Sequence, residues 1–402
     1  MFKSATFLLA FSSLLFTYSF AASTQIYGNH HLIAYVVDWD FTNEIPWRKL
    51  DHIAYAFAVP DENGNLKGYQ ESQLQKVVSE AHTRNIGVSI AVGGWTGSLY
   101  FSSLVKSAES QKKFADNLVD MVRKYELNGV NLDWEYPNDP DGISCNQKDP
   151  QDTDNFLTFI KLLRQLLDQA FPEERKLITA AVGAGVFKGV DGKPISSLDS
   201  GWATDMDAFY IMAYDINGSW SNTTAANAPL HLGKTGNQVS GETAVQAWIN
   251  AGIPSNQVFL GVPFYGYTQK TTKKMTRKAG LSVPLDRSVP QIKGDQYDSV
   301  ETDPCPGAIG SYSGEMQWRT INQVGADRNT NGWATFWDKT TDTPFSYHAG
   351  NRQFVSFDNP KSLGLKTQFV KEKALGGMML WSLEMDDSSN SLLESMQSIR
   401  SL

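Results

Sequence analysis

Eight short apolar runs, separated by amphipathic stretches, restrict the fold of this chain more than any other feature. They are LIAYVV (32–37), HIAYAFAV (52–59), IGVSIAVGG (86–94), GVNLDWE (129–135), KLITAAVG (176–183), AFYIMAY (208–214), QVFLGVPFY (257–265) and GGMMLWS (376–382). They are β-branched or aromatic and often end at Gly or Pro. Runs that are apolar on both faces suit parallel strands covered on both sides. Between them lie helical patterns. Asp154 to Ala170 sets Phe156, Phe159, Leu162, Leu163, Leu166 and Leu167 on one face, and Ser110 to Arg123 does the same with Phe114, Leu118 and Val122. Such alternation, repeated eight times, predicts an α/β protein built as a (β/α)8 TIM barrel. A doubly wound open sheet competes, but no glycine-rich phosphate loop follows the first run.

One interval is too long for a single helix. The seventh run ends near Tyr265 and the eighth begins near Gly376. A small inserted domain is expected at 268–345, with the barrel made of 22–267 and 346–402 and its seventh helix near Ser362–Glu372. The insertion opens on a basic cluster, Lys270, Lys273, Lys274, Arg277 and Lys278, read as a solvated surface.

The first 21 residues read as an export signal: Lys3, an apolar stretch from Phe7 to Phe16, then Ser19 and Ala21 before a cut. The apolar stretch is short for a membrane span of roughly 20 residues, so a secreted, extracellular protein is expected. Removing it takes one cation from the 35 present against 43 anions, leaving a net charge of −9. That balance disfavours nucleic acid and anionic membranes as partners. Cys145 and Cys305 are the only cysteines. Export permits a bridge between them without requiring it. The six His, at 30, 31, 52, 82, 231 and 348, show no ligand spacing, so no metal or other cofactor is expected. Asn217 and Asn222 each open a glycosylation sequon.

Chemistry concentrates at the fourth run. Alternate residues of a strand share a face, so Asn131, Asp133 and Glu135 point into the barrel while Val130, Leu132 and Trp134 point to the helices. Two carboxyls placed close together inside a barrel resist joint ionisation, which raises the pKa of one. An acid kept protonated near neutral pH can protonate a sugar leaving group. The C-terminal ends of barrel strands are also where barrel active sites lie.

The run NGVNLDWEYP (128–137) resembles the signature of the family 18 glycoside hydrolases, the chitinases, whose usual pattern is Asp-x-x-Asp-x-Asp-x-Glu followed by Tyr-Pro. VGGW (92–95), MAYD (212–215), GVPFYG (261–266) and GGMMLW (376–381) are similar to that family's third, sixth, seventh and eighth strands, in the same order. The resemblance implies an endochitinase that cuts β-1,4-linked N-acetylglucosamine polymers with retention. Glu135 would protonate the glycosidic oxygen, and the substrate's own acetamido oxygen would attack to form an oxazolinium. Asp133 would orient the acetamido group and Tyr214 would donate to its oxygen. Asp215, Tyr265 and Met212 would line the site, with packing an equally good account of Met212. Trp381 would form the floor, since a sugar's apolar face stacks on a flat ring. Trp95, preceded by Gly94, and Trp220 would line the leaving-group side. The inserted domain would be the α+β wall of the deep-cleft subfamily. Trp134, Trp202 and Trp248 read as packing. Trp39, Trp318, Trp333 and Trp337 fit either packing or the groove.

Departures from the pattern stand at Asn128, Asn131, Ala91 and Tyr267, where the family has Asp, Asp, Ser and Arg. Tyr35, another member of the same cluster, is kept. Asn131 is expected to donate a hydrogen bond to an ionised Asp133. The expected protein is a monomer acting on chitin or chito-oligosaccharides. The alternatives are a chitin-binding lectin with little activity and an endo-N-acetylglucosaminidase on N-glycans.

Overall fold

The computed structural model describes residues 30–41, 44–234, 238–275 and 281–400. The export signal expected at 1–21, and Arg277 and Lys278 of the basic cluster, lie outside them. Eight barrel strands follow in chain order: β1 (His31–Val37), β2 (His52–Pro60), β3 (Gly87–Gly93), β4 (Gly129–Asp133), β5 (Leu177–Gly183), β6 (Ala208–Met212), β7 (Val258–Pro263) and β8 (Gly377–Trp381). Each falls on one of the apolar runs. Neighbours pair in parallel, and β1 pairs with both β2 and β8, which closes the ring. The open-sheet alternative is excluded.

Helices cover the outside. They include α1 (Glu71–His82), α2 (Ala108–Lys124), α3 (Asp152–Ala170), α4 (Gly201–Asp205), α5 (Gly241–Asn250) and α6 (Pro360–Glu372). Helix α2 starts where Ser107 and Ser110 cap each other reciprocally, which satisfies amide groups that the first turn leaves free. Its Phe114, Leu118 and Val122 are buried, and Phe114 stacks on Phe159 of α3 at 5.1 Å. On α3, Leu162 and Leu166 are only half-buried, flanking the stripe formed by Phe156, Phe159, Leu163 and Leu167. Among the described residues the alternation lapses once: a 3-10 turn, Trp47–Lys49, joins β1 to β2.

The long interval after β7 holds a five-stranded antiparallel sheet, in the order Glu315–Gln317, Tyr265–Lys270, Gln353–Ser356, Thr343–His348, Trp333–Asp338. The limits expected for the insertion, 268 and 345, fall inside this sheet, which takes in Tyr265 at one end and Ser356 at the other. The reason is local. The chain passes from β7 into the second sheet through buried Phe264, whose N–H donates to Trp381 O at 2.8 Å, with no linker between. The insertion has its own small core of Met275, Val283, Phe345, Tyr347 and Phe354. Cys145 and Cys305 form a disulfide, which settles the pairing that the sequence left open.

Candidate active site

The C-terminal ends of the barrel strands bring most of the expected residues to one mouth. Asp133 is the last residue of β4, and Glu135 follows Trp134 just beyond it. Trp134 points outward as expected, stacked on Phe101 at 5.3 Å and edge-on to Phe156. The backbone of Glu135 is pinned from two sides: its N–H donates to Ser98 Oγ at 2.9 Å, and its carbonyl accepts from Asn146 Nδ2 at 2.6 Å. A fixed backbone limits where the carboxyl can sit.

The two glycines before Trp95 are required by close approach. Gly93 has φ +107°, and a Cβ there would lie 2.3 Å from Asp133 O. Gly94 has φ +81°, and a Cβ there would meet the Phe57 ring at 2.8 Å. The Gly94 N–H already donates to Asp133 O at 2.8 Å. Gly94 therefore holds β4 against β3 and seats Phe57, and its amide is not offered to a substrate.

Burial sets the electrostatics. It lifts the Asp133 carboxyl to about 7, against which the Tyr35 hydrogen bond acts. Glu135 is pushed well above the carboxylate range, first by burial and then by Asp133, while a hydrogen bond with the Tyr136 side chain acts the other way. The pair thus holds a proton near neutral pH, and Glu135 is the group that keeps it. Burial, then the carboxyls of Asp133, Asp215 and Glu135, raise the Tyr214 hydroxyl well above its ordinary value, so it stays a donor. Among the described residues no set of His, Cys, Asp and Glu could hold a metal ion.

Beneath the pair, the expected bond from Asn131 to Asp133 is replaced by a relay. Asn131 Nδ2 donates to Tyr35 Oη at 2.5 Å, and Tyr35 Oη donates to Asp133 Oδ2 at 3.1 Å. Thr179 Oγ1 donates to Asn131 Oδ1 at 2.8 Å. Asn131 is fully buried between β3 and β5, and the tyrosine hydroxyl stands in the space between it and Asp133. Its influence on Asp133 is therefore indirect. Asp133 Oδ1 is buried with no protein partner among the described residues.

Aromatic rings surround this centre. Trp381, half-buried at the end of β8, stacks with Phe57 at 5.5 Å and 24° and meets Tyr35 edge-on at 5.2 Å. Trp39, 61% exposed, continues the stack over Phe57 at 6.2 Å and so belongs to the groove. Trp95 and Trp220 are 43% and 53% exposed and stand at other points of the rim. Trp318 is buried, donating to Asp387 and Ser391, and Trp337 carries Lys361 over its face at 3.5 Å, so both pack. Trp333 packs on His348. Met212 is buried at the end of β6.

Asp215 is exposed in the mouth and accepts from Tyr265 Oη at 2.5 Å and from the Tyr267 side chain. Tyr267 thus fills with a neutral donor the position where an arginine was expected. Phe57, Tyr136 and Ser98 escaped the sequence reading. Tyr136 adjoins the catalytic run and could have been found there. Phe57 looks like any aromatic in a buried strand.

A parallel barrel with a proton-holding carboxyl pair at its C-terminal mouth and a set of stacked rings nearby has the makings of a glycosidase. Residues 31–386 match the model of glycosyl hydrolases family 18, and the chain belongs to that family. It is 32% identical over 369 residues to a chitinase-like effector of Moniliophthora roreri, covering 87% of this chain and 88% of that protein. It is also 32% identical over 312 residues to chitinase A1 of Niallia circulans, covering 75% of this chain but 41% of that longer protein. Among solved structures, a chitinase from Rhizomucor miehei superimposes with a TM-score of 0.89 at 50% identity, over 92% of this chain and all of that one.

Proposed function

We propose that the protein is a chitinase that hydrolyses β-1,4-linked N-acetylglucosamine chains internally, with retention, by substrate assistance. The observation that carries this is the Asp133–Glu135 pair, one carboxyl lifted to about 7 and the other raised well above its ordinary range, beside the Tyr214 hydroxyl and joined through Tyr35 to the Trp381 ring. Glu135 holds its proton and delivers it to the glycosidic oxygen. The acetamido oxygen of the sugar over Trp381 attacks its own anomeric carbon. Asp133, ionised once the pair gives up its first proton, receives the acetamido N–H and balances the charge of the oxazolinium. Tyr214 donates to the acetamido oxygen and aligns it. Water, deprotonated by Glu135, then opens the ring. Asp215, held by Tyr265 and Tyr267, offers a polar contact at the groove floor.

The relatives named chitinases, at 32% identity, and the Rhizomucor miehei enzyme support chitin or its oligosaccharides as substrate. The inserted wall disfavours an N-glycan substrate. The disulfide supports an extracellular site of action. Two observations favour a second reading, a chitin-binding lectin with little activity: Asn131 replaces the usual middle carboxyl, and relatives from two Moniliophthora species are named chitinase-like effectors. Chitin hexamer incubated with wild type across a broad pH range separates the two. Timed release of shorter oligomers is expected. Binding without any product would establish the lectin.

A further inference from the structure

Residues 286–314 of the insertion do more than wall one side of the groove. The segment is rooted on the β7 side. Asp298 accepts from Gly294 N at 2.7 Å, Ser313 Oγ at 3.0 Å and Gly314 N at 3.0 Å, and Asp295 accepts from Gln317 N at 2.8 Å. These buried carboxylates staple both feet of a loop that doubles back through the antiparallel bridge Glu301–Ser311. Its far end is attached elsewhere. Trp95 Nε1 donates to Asp303 Oδ1 at 3.1 Å, and Cys305 is bonded to Cys145. Trp95 follows β3 and Cys145 follows β4. In a closed ring of eight strands, β3 stands opposite β7. A segment rooted at β7 and fastened beyond β3 and β4 therefore reaches from one side of the barrel mouth to the other.

We propose that residues 295–311 form a strap across the leaving-group side of the groove, and that the Cys145–Cys305 bond keeps it closed so that a polymer is retained between successive cuts. This rests on the chitin reading. A lone hydrogen bond at a half-exposed tryptophan opens readily. A covalent link does not, and it holds Asp303 at a high effective concentration beside Trp95. After an internal cut, a chain held under a closed strap slides and is cut again before it escapes. An opened strap lets it leave.

The test compares wild type with Cys145→Ser/Cys305→Ser, and with Asp303→Ala, which leaves the disulfide in place. On insoluble chitin, the early ratio of dimer to monomer plus trimer is expected to fall several-fold in the double variant and less in Asp303→Ala. In a Glu135→Gln background, dissociation of bound chitin hexamer is expected to speed up several-fold when the cysteines are replaced, a readout that needs no turnover. Unchanged dissociation and an unchanged product ratio, in variants whose thermal unfolding shows an intact fold, would overturn the strap. Hexamer binding that depends on the strap, without hydrolysis by any form, would overturn the chitinase reading and leave the strap standing. No hexamer binding by any form would overturn both.

Discussion

Replacing Tyr35 by Phe should move the acidic limb of the rate profile without removing a catalytic group. The Tyr35 hydroxyl donates to Asp133 at 3.1 Å and accepts from Asn131 at 2.5 Å, all three residues being buried. A hydrogen bond to a charged acceptor contributes about 1.5–3 kcal/mol. At about 1.4 kcal/mol per pK unit, losing it raises Asp133 by roughly one to two units. Asp133 already sits near 7 because burial outweighs that bond. If ionised Asp133 is needed to hold the oxazolinium, the pH below which kcat falls should rise by the same one to two units, roughly. The Asn131 amide would also lose its acceptor in a fully buried site, costing about 1–3 kcal/mol of stability. The assay is kcat against pH on a soluble chito-oligosaccharide, with thermal unfolding alongside. An acidic limb that stays in place while stability drops would refute the relay from Tyr35 to Asp133.

Two further outcomes follow from buried groups. Stability should be greater near pH 5.5 than near pH 8. Burial raises Asp133, Glu384 and Asp386 to about 7 in the folded protein, so the stability they contribute is complete below their unfolded values and is lost as pH rises through about 7. His52, lowered to about 3 by burial, acts the opposite way, as do His30 and His31, losing stability as pH falls below their unfolded values, but burial raises more carboxyls than that, Glu135, Asp215 and Glu315 included. A melting temperature that rises from pH 5.5 to 8 would contradict this. Asn131→Asp should be nearly silent at about pH 4, close to the ordinary carboxyl value, where a protonated carboxyl is isosteric with the amide between Tyr35 and Thr179. It should cost about 3 kcal/mol at pH 8, where the buried acid is forced to ionise. Equal destabilisation at both pH values, measured by denaturant unfolding, would count against the relay.

Much of this was legible in the sequence because two periodicities carry it. The eight runs became eight parallel strands since each is apolar on both faces. The alternation of Asn131, Asp133 and Glu135 placed all three on one side of β4. What stayed hidden depends on contacts between distant segments. Trp39 and Trp318 look alike in sequence, and only their burial, 61% exposed against 2%, assigns one to the groove and the other to packing. The two sequons also part: Asn217 is buried with its amide donating to Ala226 O, while Asn222 is exposed. Phe57 gave no signal because a floor residue and a core residue of β2 have the same chemistry. The strap has no periodicity, and a cysteine pair 160 residues apart carries no geometry until the fold is closed.

The central claim is that Glu135 supplies the proton for a bond-breaking step. Timed product analysis on chitin hexamer with wild type and Glu135→Gln tests it most directly. Removing a general acid costs roughly 10²–10⁴ in rate. The account predicts a loss of that size with hexamer binding retained, and wild-type products released first as the β-anomer. Hydrolysis at equal rates by both forms, or initial release of the α-anomer, would contradict it.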